Sequence, residues 1–148
     1  MEDTGSKEDI LAHVMSSPVT TVKAGDPLSA AAKKMVTRNI GSVVVVEGKE
    51  PVGIITERDI TRQVIKGGGF LRRPARKIMS KLDVTAAPNT TIQEAFELML
   101  RNKIRRLPVL EHGKLMGIVT EKDLMRWVLR VSYEPNIPSH IKAILESK

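Results

Sequence analysis

Apolar positions along the chain follow two recurring patterns. Unbroken aliphatic runs, Ser42–Val46 and Leu107–Leu110, alternate with stretches where apolar residues return every three or four positions. The second pattern predicts amphipathic helices over about Leu28–Asn39 and Ile92–Lys103, with Ile92, Ala95, Phe96, Met99 and Leu100 facing a core. Asp26 before Pro27 supplies a helix start in the first case, and Thr90 in the second. The four consecutive valines, Val43–Val46, show no polar alternation, which predicts a strand buried on both faces. A turn at Gly48 or Gly113 leads to a second strand, Val52–Ile55 or Met116–Val119, and so to a hairpin. A further helix runs from Glu57 to about Ile65, and from Glu121 to about Val131. With a short extended piece ahead of each set, Val19–Val22 and Val84–Ala86, the order is β-α-β-β-α, twice.

The duplication is also visible residue by residue. A shift of 64 positions aligns residues 14–65 with 78–129 without a gap, and 15 of the 52 pairs are identical. Gly53-Ile54-Ile55-Thr56-Glu57-Arg58-Asp59 falls on Gly117-Ile118-Val119-Thr120-Glu121-Lys122-Asp123. The expected organisation is a tail (1–9), a first repeat (10–66), a Gly-rich basic linker (67–77), a second repeat (78–131) and a C-terminal tail (132–148). That last tail should carry a short helix for which Ser139 is a candidate cap. A lone unit of this size buries too little surface to be robust, so the two are expected to pack as one α+β module. Gly67–Gly69 read as a flexible connector, and Pro74 as a helix stop.

The repeated Gly-h-h-Thr-x-x-Asp motif (h, hydrophobic) carries the chemistry. Glycine permits close approach to a strand, and threonine ends the strand and caps the helix after it. The helix N-terminus then faces an opening with unpaired N–H groups and a positive dipole end, where phosphate is a natural occupant. Asp59 and Asp123, one turn in, can accept from two neighbouring hydroxyls such as a ribose diol. The same spacing is also a capping box that many helices carry for stability alone. Recurrence at both strand-to-helix junctions, with basic residues close by, favours a ligand, and the two roles are compatible.

Composition narrows the partners. Twenty-four Lys and Arg against 17 Asp and Glu leave a formal charge of +7, which favours anionic ligands. Four aromatic residues in the whole chain offer few platforms for stacking single-stranded bases. No cysteine is present, which excludes disulfides and thiolate metal sites and agrees with a cytoplasmic setting. No apolar run is long enough for a membrane span, and the N-terminal residues do not read as a secretory signal.

Two β-α-β-β-α units with this motif at each β–α junction, together with Ile104-Arg105-Arg106-Leu107-Pro108-Val109, resemble a tandem pair of cystathionine β-synthase (CBS) domains, a Bateman module. The resemblance spans roughly residues 10–131. It implies two repeats packed through their sheets, with an adenosine derivative (AMP, ADP, ATP or S-adenosylmethionine) in a cleft between them. By position, it places Asp59 and Asp123 on ribose, and Thr56 and Thr120 by ribose or phosphate. Ile40 and Ile104 would lie on the adenine face, with backbone at Thr20 and Val84 reading the adenine edge. Arg105 and Arg106 would meet phosphate, and the first repeat departs from them with Gly41 and Ser42. Each cleft borrows side chains from both repeats, which leaves open the cleft that the arginines serve. Val44 opposite Pro108 reads as a minor departure.

The resemblance also implies a sensor that is not an enzyme, a homodimer, and output through a regulated protein. The residues agree in offering no nucleophile elbow, P-loop or metal-ligand spacing among His13, His112 and His140. The alternative is a nucleic-acid or acidic-protein adaptor that uses Arg72, Arg73, Arg76 and Lys77.

Overall fold

The computed structural model describes residues 10–133 and 139–147. The first half contains β1 (Thr21–Lys23), α1 (Leu28–Arg38), β2 (Ser42–Glu47), β3 (Glu50–Thr56) and α2 (Glu57–Lys66). After a 3-10 turn at Phe70–Arg72 come α3 (Ala75–Ile78), β4 (Ser80–Lys81), α4 (Ile92–Asn102), β5 (Arg106–Glu111), β6 (Lys114–Thr120), α5 (Glu121–Tyr133) and α6 (Ser139–Glu146). The architecture is α+β, as expected. Ser139, the expected cap, is instead the first residue of α6, and the position before it lies outside the described residues.

β2–β3 and β5–β6 are antiparallel hairpins in the same register: Val44 faces Ile54, and Pro108 faces Ile118. Each closes through two residues, Gly48-Lys49 and His112-Gly113, with positive φ at Gly48, His112 and Gly113. Val43, Val44 and Val45 are fully buried, in line with the unbroken aliphatic run. β1 adds in parallel to β2. Its counterpart in the second half is reduced to one bridge between Ala86 and Val109, where a strand over Val84–Ala86 was expected.

The halves exchange segments. β4, at the start of the second repeat, pairs with β3 of the first, Ser80 opposite Ile54. Reciprocally, Ser16 bridges Ile118 of β6. The exchange extends into the cores. Leu11, fully buried, joins Ile92, Ala95, Leu107 and Val119 of the second half, and Ala75 and Ile78 join Leu28, Val43 and Ile55 of the first. Backbone bonds secure both ends, Leu11 N to Thr90 O at 2.9 Å and Ala75 N to Asp26 O at 2.7 Å. The motif glycines are where the exchanged segments land. A side chain at Gly53 would collide with Met79, 2.7 Å from its Cγ and 2.9 Å from its Cβ. One at Gly117 would meet Met15 Cγ at 2.8 Å and the Ser16 carbonyl at 3.1 Å. Close approach is therefore what these glycines provide, and a methionine from the other repeat makes the approach.

Three local expectations are corrected. Thr91, not Thr90, caps α4: its Oγ1 accepts from Glu94 N at 3.1 Å, and Glu94 Oε2 accepts from Thr91 N at 3.0 Å. Thr90 Oγ1 is occupied by Ala87 N at 2.9 Å in the preceding turn. Asp26 does not cap α1, because its carboxylate accepts from Lys23 N at 2.9 Å while the Leu28 N–H donates to the Arg73 carbonyl. Leu100 is 78% exposed, since the buried stripe of α4 is the narrow set Ile92, Ala95 and Met99, and Leu100 falls past its edge.

The linker is docked on the first half. Gly67, Gly68 and Gly69 all have positive φ (67°, 44° and 67°), a left-handed run natural to glycine. Arg73 closes it, donating to Gln63 Oε1 at 2.6 Å and to the Gly67 and Gly68 carbonyls at 3.4 Å.

Gly53→Ala should lose about 1–3 kcal/mol by overpacking against Met79. In chemical denaturation, adding Met79→Ala should leave a total smaller than the sum of the two single losses; strict additivity would show that this contact is not the constraint. Gly68→Ala should cost about 1 kcal/mol for its left-handed backbone, measured the same way.

Candidate functional site

β3 runs directly into α2 at Thr56, and β6 into α5 at Thr120. Both junctions are complete capping boxes in their bonds. Asp59 Oδ2 accepts from Thr56 N at 2.8 Å, and Thr56 Oγ1 accepts from Asp59 N at 3.4 Å. Asp123 Oδ2 and Thr120 Oγ1 do the same at 2.9 and 3.2 Å. The Thr56 hydroxyl also donates to Asp59 Oδ2, at 3.1 Å. Capping therefore uses one carboxylate oxygen of Asp59. The other, Oδ1, makes no hydrogen bond among the described residues and has Arg62 at 3.9 Å. Asp59 is buried, at 7% exposure, so this oxygen is held in place.

Asp59 lies on the wall of a cleft of about 640 Å³ that both halves build. Its lining comes from Ile54, Thr56 and the first turns of α2, from β4 with the chain on to Val84, and from Asn102 to Arg106 with Pro108. The cleft thus unites Thr56 and Asp59 with Val84, Ile104, Arg105 and Arg106. The two arginines belong with the Asp59 junction. Thr20, Ile40, Thr120 and Asp123 do not line this cleft; they are the repeat counterparts of Val84, Ile104, Thr56 and Asp59.

Several lining residues escaped the sequence reading: Arg58, Arg62, Lys81 and Pro108. Arg58 sits inside the repeated motif, and Arg62 lies three residues after Asp59, so helical spacing was a usable signal for Arg62. Lys81 had no local signal, because its place depends on the exchange of β4 onto β3. Lys103 ends α4 with φ 53° and ψ 42°, a left-handed position where its counterpart, Asn39, belongs to a residue type more at ease there.

Pro108 has a larger effect than its sequence position suggested. In the first half Val44 N donates to the Thr20 carbonyl at 3.1 Å, tying the segment before β1 to β2. Pro108, the counterpart of Val44, has no N–H to give. Among the described residues, the Val84 carbonyl accepts no hydrogen bond. Pro88 likewise replaces Ala24, whose N–H donates to the Val46 carbonyl at 2.9 Å, so the second half lacks both bonds that flank the parallel strand of the first and keeps a single bridge. The donor missing at Pro108 also leaves a backbone acceptor beside the cleft.

Charge in the cleft is strongly one-sided. Arg58, Arg62, Lys81, Lys103, Arg105 and Arg106 face only Glu57, Asp59 and Asp83. Arg106, half-buried, reaches over Gly41 of the first half: a Cβ there would strike its guanidinium, and would also lie 3.7 Å from Glu57 Cδ. Burial pulls the Arg106 pKa below its ordinary value; Glu57 acts against this and Arg105 adds to it. The guanidinium stays charged, yet no carboxylate lies within 4.0 Å of it among the described residues. A partly desolvated cation without a partner is stabilised by an incoming anion. Arg105 has only a long, exposed pairing, Nε to Glu121 Oε2 at 3.9 Å, which contributes little.

Among the described residues no group of His, Cys, Asp or Glu could hold a metal ion, and no helix is long and apolar enough to cross a membrane.

The CBS domain family matches residues 9–66 and again 75–130. Protein MK0525 of Methanopyrus kandleri is 43% identical over 114 residues, which cover 71% of this chain and 57% of that one. The chain therefore spans little more than half of that relative. CBS domain-containing protein YhcV of Bacillus subtilis is 34% identical over 110 residues, with 74% and 79% coverage. Among solved structures, the CBS domain pair of protein MJ0100, in complex with 5-methylthioadenosine and S-adenosyl-L-methionine, superposes with a TM-score of 0.74 at 25% identity, covering 80% of this chain and 94% of that one. With two family matches that follow the internal repeat and a fold shared with a solved CBS pair, this chain belongs to the CBS-domain family, as a tandem pair.

Proposed function

We propose that this chain is a regulatory module that binds an adenosine derivative in the cleft between its repeats and passes occupancy on to a partner protein. The observation that carries this reading is the division of labour at Asp59. Oδ2 completes the cap of α2, while Oδ1 of this cleft-lining residue keeps its hydrogen-bonding capacity beside Ile104, the arginine pair and a Val84 carbonyl that accepts no bond among the described residues. Oδ1 suits a ribose hydroxyl, the Val84 carbonyl suits an exocyclic amine, Ile104 suits the flat face of a purine, and Arg105 with Arg106 suits phosphate. The related MJ0100 domain pair holds two adenosine derivatives, which supports the same ligand class here.

Both repeats line the cleft, so a ligand that touches both changes the energy of their relative placement. That is the property a sensor needs. A second cleft, built from Thr20, Ile40, Thr120 and Asp123, is its repeat-related counterpart. Homodimerisation is part of the proposal: Val36 and Leu100, equivalent positions on α1 and α4, are 82% and 78% exposed and are suited to burial against a second chain. The chemistry in the cleft is binding chemistry, so we assign no reaction, and we place the module in the cytoplasm. The basic linker fits a nucleic-acid adaptor less well, because Arg73 is already engaged by Gln63 and the glycine carbonyls.

A ligand present at a hundredfold excess over its Kd should stabilise the fold by about 2.7 kcal/mol, a rise of roughly several degrees in melting temperature for a chain of this size. A panel of AMP, ADP, ATP and S-adenosylmethionine that leaves melting unchanged would remove the proposal. Asp59→Asn keeps an oxygen for the Thr56 N–H, so the unliganded melting temperature should move by only about a degree or two. The ligand-induced rise should fall by at least about half, through loss of a charge-assisted hydrogen bond. Differential scanning fluorimetry reads both.

A further inference from the structure

Resting on the adenosine reading, we infer that the Asp59 cleft selects an adenosine polyphosphate, a di- or triphosphate, over the monophosphate and over cationic or uncharged adenosine derivatives, and that this cleft alone does so.

The basis is where cationic charge accumulates and what already satisfies it. The six basic side chains of the Asp59 cleft come from three separate elements: Arg58 and Arg62 on α2, Lys81 on β4, and Lys103, Arg105 and Arg106 at the turn from α4 into β5. Against three acids they leave a surplus larger than one phosphate group neutralises. Among the described residues Arg58, Lys81, Lys103 and Arg106 have no carboxylate within 4.0 Å. Lys103 is held in a left-handed backbone conformation that costs a lysine more than an asparagine. Gly41 gives Arg106 its room, because any side chain there would push the guanidinium away from the first half.

The repeat-related positions keep two of the six cations and lose four. Lys81, Lys103, Arg105 and Arg106 become Ser17, Asn39, Gly41 and Ser42. Of the cations on that side, Lys122 stands for Arg58, whereas two others are already engaged: Arg38 donates to Thr20 Oγ1 at 2.9 Å, and Arg126, the counterpart of Arg62, donates to the Ser147 carbonyl at 3.2 Å. At the base end the Thr20 carbonyl is taken by Val44, whereas Pro108 leaves that of Val84 without a partner. The two ends of a nucleotide are therefore served together only in the Asp59 cleft. Base recognition depends there on Pro108, and phosphate count is read by the cationic rim.

Isothermal titration of the full chain with ATP, ADP, AMP and S-adenosylmethionine, in EDTA, tests this. One ATP should bind per chain, about tenfold or more tighter than AMP, and the gap should narrow as salt is raised. Arg106→Gln should weaken ATP several-fold while AMP changes less; Pro108→Val, by restoring a donor to the Val84 carbonyl, should weaken ATP and AMP by the same factor. Arg72→Gln removes an exposed linker charge outside the cleft and should alter neither affinity. Equal affinity for AMP and ATP, tighter binding of S-adenosylmethionine than of ATP, or two equivalent ATP sites per chain would each overturn the inference while leaving the adenosine reading intact. Silence across the whole panel would overturn both. Circular dichroism and melting curves of each variant separate a lost contact from a lost fold.

Discussion

The reciprocal seating of a methionine on a strand glycine holds this architecture together. Met79 lies on Gly53, Met15 lies on Gly117, and in each case the chain that brings the methionine comes from the opposite repeat. Neither half owns a whole core, since Leu11 completes the second and Ala75 with Ile78 completes the first. Mutual dependence is the physical answer to small size: each unit gains buried apolar surface by lending a segment that it could not itself bury. The same exchange carries β4 alongside β3 and so delivers Lys81 to the cleft wall beside Asp59. The site is thus a by-product of the packing that stabilises the pair.

Duplication supplies two similar junctions, and small departures from symmetry make them different. A proline in place of valine removes one N–H, and with it the partner of a carbonyl. A glycine in place of arginine makes the room through which the opposite repeat's arginine reaches over. Each change involves few atoms, and in each case the consequence appears in the other repeat or at the seam between them.

The capping box and the ligand contact were competing explanations of Thr56 and Asp59. The bonds at Asp59 show that they need not compete. A carboxylate has two oxygens, and the cap occupies one. The cap also fixes the side chain's direction, so a contact made by the second oxygen would lose little conformational entropy on binding. Thr56 is a different case: its hydroxyl donates to Asp59 and accepts from the Asp59 N–H, so its chief work is local.

Features that depend on neighbours close along the chain were legible in the amino acids alone. Periodicity gave the helices and hairpins to within a residue or two, the 64-residue shift exposed the repeat, and threonine and aspartate three apart set both capping boxes. The local errors were also local in cause: Thr90 and Asp26 were drawn into turns instead of caps, and Leu100 lay one step past a narrow apolar stripe. The packing of the two halves set which residues meet across the seam. It assigned Arg105 and Arg106 to the Asp59 cleft, brought in Lys81, turned the motif glycines toward methionines, and showed Pro108 to be consequential. These outcomes depend on contacts between residues far apart in the chain, and on hydrogen-bond partners that exist only once two segments lie side by side.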